Sequence, residues 1–255
     1  MDNKQNDTYK GRGDNMKKIA LVTGSTSNIG KSIAEVLSRE GYHVIITSRN
    51  ETEAREVAEK LPHPGSFFRL DYARAEEIKV LFDFIKEKFG RLDVLVNNVA
   101  YTKNESILEC DLETWQITMD TNLRSYYLCS RYAAVLMKEN GGGSIVNITI
   151  ASTRGHKKKF SYAVSKGGIH MLTLSAAVDL APYNIRVNAV GVTQTGTPVG
   201  SRTMDGRAYE NKRIPAGHIG DPQDPAEMVA FLVSDKANFI IGAIIPVDGG
   251  SNIAT

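Results

Sequence analysis

Short apolar runs rich in β-branched residues alternate with amphipathic stretches along most of the chain. The runs lie at 19–23, 43–47, 92–96, 144–150, 185–190 and 244–247, and each would be apolar on both faces of a strand. Between them, apolar residues recur with helical spacing at 29–37, 78–85, 115–137, 169–180 and 226–233. Strands of this kind, separated by helices, form parallel sheets with right-handed crossovers. The pattern predicts an α/β fold, a doubly wound sandwich with helices on both faces of a parallel sheet.

The composition excludes several classes of protein. The 255 residues include 31 Lys and Arg against 29 Asp and Glu, too balanced for a general binder of nucleic acid or anionic membranes. No apolar run is long enough for a membrane helix. The two cysteines, Cys110 and Cys129, form no Cys-x-x-Cys pair, which disfavours a disulfide scaffold or a metal site and suggests a cytoplasmic protein. We expect a flexible tail over 1–16 and a single domain over 17–255.

The turn after the first run has the features of a dinucleotide-binding loop. It reads Thr-Gly-Ser-Thr-Ser-Asn-Ile-Gly over 23–30 and opens an apolar-periodic helix. The first glycine permits a tight turn, and the second lets the helix pack closely on the sheet. Backbone N–H groups at such a helix N-terminus bind pyrophosphate. The predicted cofactor-binding residues here are Gly24, Ser25, Thr26, Asn28, Ile29 and Gly30.

Arg49 indicates which dinucleotide the chain prefers. An NAD site has an acidic residue near the end of the second strand for the ribose 2′-hydroxyl, whereas an arginine there suits a 2′-phosphate. The second run ends in Thr-Ser-Arg-Asn, with no carboxylate before Glu51. NADP(H) is therefore favoured over NAD(H), with Arg49 as the ligand of the 2′-phosphate.

A Tyr-x-x-x-Lys motif, Tyr162 and Lys166, follows the run at 144–150. The spacing places both side chains on one helix face, where the ammonium is expected to lower the pKa of the phenol and make Tyr162 a general acid and base. With the turn at 23–30, Asn-Asn at 97–98 and Val-Asn-Ala at 187–189, the motif resembles the short-chain dehydrogenase/reductase family. The strings at 213–215, 220–222, 231–235 and 247–250 are similar to its 3-oxoacyl-acyl-carrier-protein reductase-like members.

The resemblance covers residues 17–252 and implies a Rossmann-type fold with a seven-stranded sheet and a homotetrameric assembly. It implies that Lys166 also binds the nicotinamide ribose, and that Asn122 holds a proton-relay water through a kink in its helix. Further implied cofactor contacts are Asp71, Tyr72 and Asn98 on the adenosine side, and Thr195 and Thr197 at the nicotinamide amide.

The catalytic serine of the family has no unambiguous counterpart. Counted along the strand its position falls on Ile150, and counted back from the tyrosine it falls on Thr149. Because strand side chains alternate, Ser152 shares a face with Ile150, whereas Thr149 points the other way. Ser152 is favoured, but Thr149 and the absence of any catalytic hydroxyl stay open.

Other departures from the family pattern concern the cofactor loops. Asn28 replaces the usual third glycine, which asparagine can do because it tolerates a left-handed backbone. Ala100 adds a methyl group where a glycine usually follows the two asparagines, and Gly191-Val192-Thr193 replaces the usual Pro-Gly.

These observations favour an NADP(H)-dependent reductase that converts a ketone, such as a 3-oxoacyl thioester, to a secondary alcohol. A catalytically weakened dinucleotide-binding sensor or assembly protein is one alternative, and a dehydrogenase that oxidises a sugar or polyol is another. The basic run at 154–159 is either a solvated loop or a docking site for an anionic carrier such as acyl carrier protein, coenzyme A or a phosphorylated substrate.

Overall fold

The computed structural model describes residues 17–151, 155–196 and 214–254. These residues form seven strands: β1 (Ile19–Val22), β2 (His43–Ser48), β3 (Ser66–Arg69), β4 (Val94–Asn97), β5 (Gly143–Ile150), β6 (Ile185–Val192) and β7 (Ile244–Val247). Seven α-helices accompany them: α1 (Asn28–Arg39), α2 (Glu51–Lys60), α3 (Ala75–Phe89), α4 (Leu112–Met119), α5 (Ser125–Glu139), α6 (Phe160–Leu180) and α7 (Gln223–Val233). A π-helical turn, Asp120–Arg124, joins α4 to α5, and short 3₁₀ turns lie at Ala181–Tyr183 and Asp235–Ala237.

All seven strands form one parallel sheet in the order β3-β2-β1-β4-β5-β6-β7. The chain builds β1, β2 and β3 in one direction, then returns to the other side of β1 to add β4 and the remaining strands. This reversal creates a crevice at the carboxyl ends of β1 and β4, which is where ligands bind in open α/β sheets. The predicted seven-stranded Rossmann-type fold is confirmed.

Alternate residues of the central strands supply two separate cores. Ala20 and Val22 of β1 pack on one face with α1, α2 and α7. Ile19 and Leu21 pack on the opposite face with α3, α5 and α6. Burying both faces in this way requires strands that are apolar at every position, which explains why these runs are continuous in the sequence.

The structure departs from the predicted elements at the edges. Neither β3 nor α2 was predicted, because both are half-exposed and α2 buries only Ala54 and Ala58. The predicted strand at 244–247 exists, but it is an edge strand and only partly buried, so the expectation that both of its faces are covered is wrong within the described chain. The long helix predicted over 115–137 is interrupted by the π turn.

Candidate active site

A cavity of about 450 Å³ opens at the crevice between β1 and β4. Its walls come from the glycine turn, the ends of the central strands, the π turn and the first turns of α6. The residues predicted from the sequence that line it are Gly24, Thr26, Asn28, Ile29, Gly30, Arg49, Asp71, Tyr72, Asn98, Thr149, Tyr162 and Lys166. The fold therefore brings the two ends of the predicted site, about 140 residues apart in sequence, into one cavity.

The glycine turn places the N-terminus of α1 at the cavity. Gly24 has φ +62°, and Asn28 has φ +47°, a left-handed conformation that asparagine tolerates better than most residues. Ser27, the residue at the helix N-cap, makes no capping hydrogen bond with its side chain. The first-turn N–H groups are therefore not capped by Ser27, and they can donate to an anion in the cavity.

Ser25 does not line the cavity, in contrast to its predicted role. Its hydroxyl is fully buried, donates to Val22 O at 2.8 Å and accepts from Thr47 N at 2.9 Å. The Thr47 hydroxyl in turn accepts from Gly24 N at 3.2 Å and lies 3.0 Å from the Tyr72 hydroxyl. Ser25 and Thr47 thus fasten the turn to β2 instead of offering oxygen or nitrogen atoms to a ligand.

Asn98, at the end of β4, fixes the same turn from the other side. Its Nδ2 donates to Thr23 O and Gly24 O, both at 3.0 Å, and its backbone N–H donates to the Thr23 hydroxyl. Gly30 lies against this contact, since a Cβ placed on Gly30 would meet Gly24 O at 2.3 Å and Asn98 Nδ2 at 2.5 Å. Only glycine fits between the turn and the helix at this position.

The adenosine side of the cavity combines an exposed arginine with a buried tyrosine. Arg49 lines the cavity at the end of β2, and within the described chain it forms no ion pair. Asp71 accepts from Ala73 N, which rigidifies the loop after β3. Burial raises the pKa of Tyr72 well above its ordinary value, so this residue contributes a neutral wall.

Tyr162 and Lys166 lie on the same face of α6, as the spacing predicts, and both line the cavity. The Lys166 side chain is buried, and its Nζ lies 5.7 Å from the centroid of the Tyr162 ring. Nζ donates to Ile148 O at 2.9 Å and to the Tyr126 hydroxyl at 3.4 Å. Burial lowers the pKa of Lys166 to about 7.

The expected lowering of the Tyr162 pKa is not observed. Burial instead raises the pKa of Tyr162 above its ordinary value. The physical reason is that both groups are removed from water, which disfavours a phenolate and an ammonium alike. At neutral pH the Tyr162 phenol therefore keeps its proton and is a hydrogen-bond donor.

Thr149 is one of the two hydroxyl candidates for the serine position. Its side chain is buried, and its Oγ1 donates to the backbone carbonyl of Lys166 at 3.2 Å. The hydroxyl proton is thus directed at the backbone of α6. Ser152, the favoured candidate, lies outside the described residues.

Asn122 lies in the π turn, which is the irregularity of the helix that the family resemblance implied. Its side chain is fully buried and does not line the cavity. It accepts from Tyr101 N at 2.6 Å and donates to Tyr101 O and to the Ser165 hydroxyl. Asn122 therefore ties the loop after β4 to α6, next to Tyr162 and Lys166.

Several cavity residues were not predicted from the sequence, and Thr195, like Ser25 and Asn122, was predicted but does not line the cavity. The unpredicted lining residues include Ser48, Leu70, Tyr101, Ile117, Thr121, Ile148 and Val192. Their positions follow from the strand order and from the π turn, which no local motif encodes. The Thr195 hydroxyl instead donates to Thr193 O. Thr197 lies outside the described residues.

The residues present fit a nicotinamide dinucleotide. The N-terminus of α1 without a side-chain cap suits a pyrophosphate, and the exposed guanidinium of Arg49 is available to a phosphate. Arg49 follows β2 on one side of β1, whereas Tyr162 and Lys166 follow β5 on the other side, so an extended dinucleotide would span between them. Within the described residues, no group of three or more potential metal ligands occurs, both cysteines are free, and no helix has the length and apolar character needed to span a membrane.

Comparisons with known proteins identify the family. The family model described as enoyl-(acyl carrier protein) reductase matches residues 24–252. The chain belongs to the short-chain dehydrogenase/reductase family, and it is similar to the 3-oxoacyl-[acyl-carrier-protein] reductases within it.

Curated relatives and solved structures match along nearly the whole chain. Trans-4-hydroxycyclohexanecarboxylate dehydrogenase of Sinomonas cyclohexanicum is 35% identical, over 92% of this chain and 92% of its own length. The 3-oxoacyl-[acyl-carrier-protein] reductase of Haemophilus influenzae is 36% identical, over 91% and 97%. A gluconate 5-dehydrogenase from Burkholderia cenocepacia, solved in complex with NADP and tartrate, superposes with a TM-score of 0.86 at 28% identity, over 93% of this chain and 96% of that structure. The protein is thus an oxidoreductase of this family.

Proposed function

We propose that the protein is an NADP(H)-dependent oxidoreductase that reduces a ketone to a secondary alcohol, with Tyr162 as the general acid. The observation that carries the proposal is that Tyr162 and Lys166 line the same cavity as Arg49 and the N-terminus of α1. One end of the cavity thus offers groups for phosphate, and the other end offers a proton donor.

A dinucleotide held by the N-terminus of α1 and by Arg49 would supply a hydride to the ketone carbon, whose C=O double bond would become a C–O single bond. Tyr162 donates the phenolic proton to the developing alkoxide, so that the products are the alcohol and the oxidised dinucleotide. Burial of Tyr162, which raises its pKa, keeps this proton in place at neutral pH. Lys166 then helps to return a proton to Tyr162 and binds the nicotinamide ribose, as the family resemblance implies.

A hydroxyl beside Tyr162 would stabilise the developing negative charge on the substrate oxygen. We assign this role to Ser152, because the Thr149 hydroxyl donates to Lys166 O. For Asn122 we propose that its position in the π turn supports the proton path behind Lys166, since its side chain bonds to Ser165 one position before the lysine.

The preference for NADP(H) rests on Arg49. The residue is exposed at the end of β2 and lines the cavity, and none of the ion pairs of the described chain occupies its guanidinium. A guanidinium forms paired, charge-assisted hydrogen bonds with a phosphate, so Arg49 would distinguish a 2′-phosphate from a 2′-hydroxyl. The NADP in the similar gluconate 5-dehydrogenase structure agrees with this assignment.

An anionic substrate or carrier fits the rim of the cavity. Lys159 donates to the hydroxyl of Thr102, which directly follows the cavity-lining Tyr101. Lys157 is exposed two residues before it. Positive charge at this rim would attract an acyl carrier protein, coenzyme A or a carboxylate substrate. The similar hydroxycyclohexanecarboxylate dehydrogenase and 3-oxoacyl-[acyl-carrier-protein] reductase are named for substrates of these kinds.

The exposed apolar residues fit a homotetramer. One patch lies on the outer faces of α5 and α6 and comprises Tyr127, Val135, Val164, Met171, Leu174 and Val178. A second patch lies near α7 and β7 and comprises Phe231, Phe239 and Ile241. Two different self-complementary interfaces produce a closed tetramer. Light scattering of the purified protein tests this expectation.

The two free cysteines agree with a reducing, cytoplasmic location.

Consumption of NADPH and NADH by the purified protein, with a panel of ketones that includes 3-oxoacyl thioesters, tests the proposed function. Turnover with NADPH is expected to disappear in Tyr162→Phe and to persist in the matched control Tyr183→Phe, which changes an exposed tyrosine. Equal turnover in wild type and Tyr162→Phe would contradict the assigned chemistry. Tight binding of NADPH without turnover in either direction would favour a dinucleotide-binding sensor or assembly protein.

The direction of the reaction is a separate question. Relatives named as dehydrogenases of hydroxy acids favour the oxidation of an alcohol as a second candidate function. The same residues serve this direction, with Tyr162 as the base. Assays with hydroxy acids, sugars and polyols plus NADP⁺ therefore belong in the same panel.

A further inference from the structure

Tyr126 is a second tyrosine at the active site, and the Tyr-x-x-x-Lys motif does not account for it. It lies on the first turn of α5 and is fully buried. Its hydroxyl donates to Ile148 O at 3.1 Å and accepts from Lys166 Nζ at 3.4 Å. Nζ also lies 5.2 Å from the centroid of the Tyr126 ring.

We propose that Tyr126 is a positioning residue for Lys166, whose Nζ it holds beside Tyr162 in the charged form, together with the carbonyl of Ile148. This proposal rests on the proposed function, because that function assigns Lys166 to the proton path. Tyr126 does not line the cavity, so it acts through Lys166 and not on a substrate.

The positions of Ile148 O and Lys166 Nζ determine which hydrogen bond the Tyr126 hydroxyl donates and which it accepts. The Tyr126 proton is directed at Ile148 O, and this leaves the oxygen lone pairs for Lys166 Nζ. Ile148 O accepts from both residues, with the shorter bond to Nζ at 2.9 Å. The ammonium thus has two oxygen acceptors, and both belong to elements outside α6. An acceptor stabilises an ammonium more than it stabilises a neutral amine.

The surroundings of Lys166 make these two acceptors important for stabilising its charged form. From α5 it faces Tyr126, and Cys129 lies near the Tyr126 phenol. On the β5 side, Lys166 Nζ contacts Ile148 O, and the Thr149 hydroxyl donates to the backbone carbonyl of Lys166. Within α6, the Lys166 side chain faces Tyr162. Within the described chain, no carboxylate forms an ion pair with Lys166. Among the described residues, neutral oxygen atoms and aromatic rings therefore provide the stabilisation that the buried charge receives.

The test measures the titration of Lys166 directly in Tyr126→Phe, which removes the hydroxyl and keeps the ring. Lysines labelled with ¹³C at Cε are followed by NMR against pH, and the Lys166 signal is assigned by its loss in Lys166→Met. In wild type the pKa of Lys166 is lowered by burial to about 7. We expect Tyr126→Phe to lower the midpoint by a further amount of about half a unit to one unit, the size of one long charge-assisted bond.

The matched control is Tyr127→Phe, which removes a hydroxyl from the next residue of the same helix. Tyr127 is exposed, and we expect its substitution to leave the Lys166 midpoint unchanged. A Tyr126→Phe midpoint equal to that of wild type would overturn the proposal. If Tyr126→Phe does not fold, wild type is used instead: because Nζ lies 5.2 Å from the centroid of the Tyr126 ring, the NMR signals of that ring are expected to shift with the same midpoint as Lys166. Absence of that shift would also overturn the proposal.

Turnover provides an independent second measurement. In the pH profile of kcat/KM, the limb that reports loss of the Lys166 proton should move to lower pH in Tyr126→Phe by the same amount as the NMR midpoint. A merely structural role would reduce the rate without moving this limb. The NMR titration needs no substrate, so a protein without ketone reductase activity would refute the proposed function and leave the inference about Tyr126 to be decided separately.

Discussion

Replacing Gly30 by alanine tests whether the close packing of α1 on the glycine turn holds the cofactor end of the site together. A Cβ at this position would lie 2.3 Å from Gly24 O and 2.5 Å from Asn98 Nδ2, whereas ordinary contacts begin at 3.4 Å. The helix and the turn must therefore separate by about 1 Å. Such a shift breaks or lengthens the two bonds that Asn98 Nδ2 donates to Thr23 O and Gly24 O.

The magnitude follows from these contacts. Overpacking of this kind costs about 2 kcal/mol, and the two lost hydrogen bonds cost about 1 kcal/mol each. Alanine recovers about 1 kcal/mol through its higher helix propensity. We therefore expect Gly30→Ala to lower the free energy of unfolding by about 3 kcal/mol and to weaken the binding of NADPH, because the N–H groups at 28–30 move with the helix.

Urea unfolding followed by the fluorescence of Trp115, the single tryptophan, measures the change at a fixed protein concentration. Gly167→Ala is the matched control, since Gly167 is helical and exposed and a Cβ there would meet nothing within 4 Å. We expect this control to be as stable as wild type, or more stable by up to about 1 kcal/mol. A Gly30→Ala protein with wild-type stability and NADPH affinity would refute the argument from close packing.

Three further predictions concern single side chains. Burial lowers the pKa of Lys166 to about 7 in the folded protein, so above that pH the unfolded chain binds more protons than the folded chain. The free energy of unfolding of wild type, relative to that of Lys166→Met, should therefore rise by about 2 kcal/mol between pH 7 and pH 9, as urea unfolding would show. Arg49→Ala should raise the Kd for NADPH about tenfold or more and leave that for NADH nearly unchanged, as titration calorimetry would show. Thr149→Val should lower the free energy of unfolding by about 1 kcal/mol with little change in kcat, because its hydroxyl donates to Lys166 O. Ser152→Ala should lower kcat about a hundredfold in steady-state assays. A larger loss of kcat in Thr149→Val than in Ser152→Ala would assign the hydroxyl role to Thr149.

The central part of the fold could be predicted from the sequence because its strands are buried on both faces. Runs such as 144–150 must be apolar throughout, since alternate residues enter the two cores. The edge elements follow a different rule. In β3, Phe67 is only partly buried and lies beneath the guanidinium of Arg55, 4.4 Å from the ring centroid. The start of α2 is defined by the cap that Asn50 provides, and this helix buries only Ala54 and Ala58. Neither β3 nor α2 therefore shows a periodic pattern of apolar residues in the sequence.

The predictable part of the site was that encoded by local motifs. The glycine turn and the Tyr-x-x-x-Lys spacing each lie within eight residues, and both line the cavity. Contacts between distant elements carried no such signal. Ser25 was predicted to face the ligand, but its hydroxyl is bonded to β2, and only the pairing of β1 with β2 determines that orientation. Tyr101 and Ile117 likewise reach the cavity through the strand order and the path of α4.

The electrostatics of Tyr162 and Lys166 could not be predicted from their spacing alone. Four residues along a helix bring Lys166 near Tyr162, and proximity by itself predicts that the ammonium lowers the pKa of the phenol. The fold adds two effects that oppose this expectation. Burial disfavours both charges, and the carbonyl of Ile148, with the Tyr126 hydroxyl, draws Nζ toward β5 and α5. A neutral phenol next to a lysine with a pKa of about 7 suits the reduction that we propose, because the phenol would start the reaction protonated. The lysine could then both give and take the proton that replaces it.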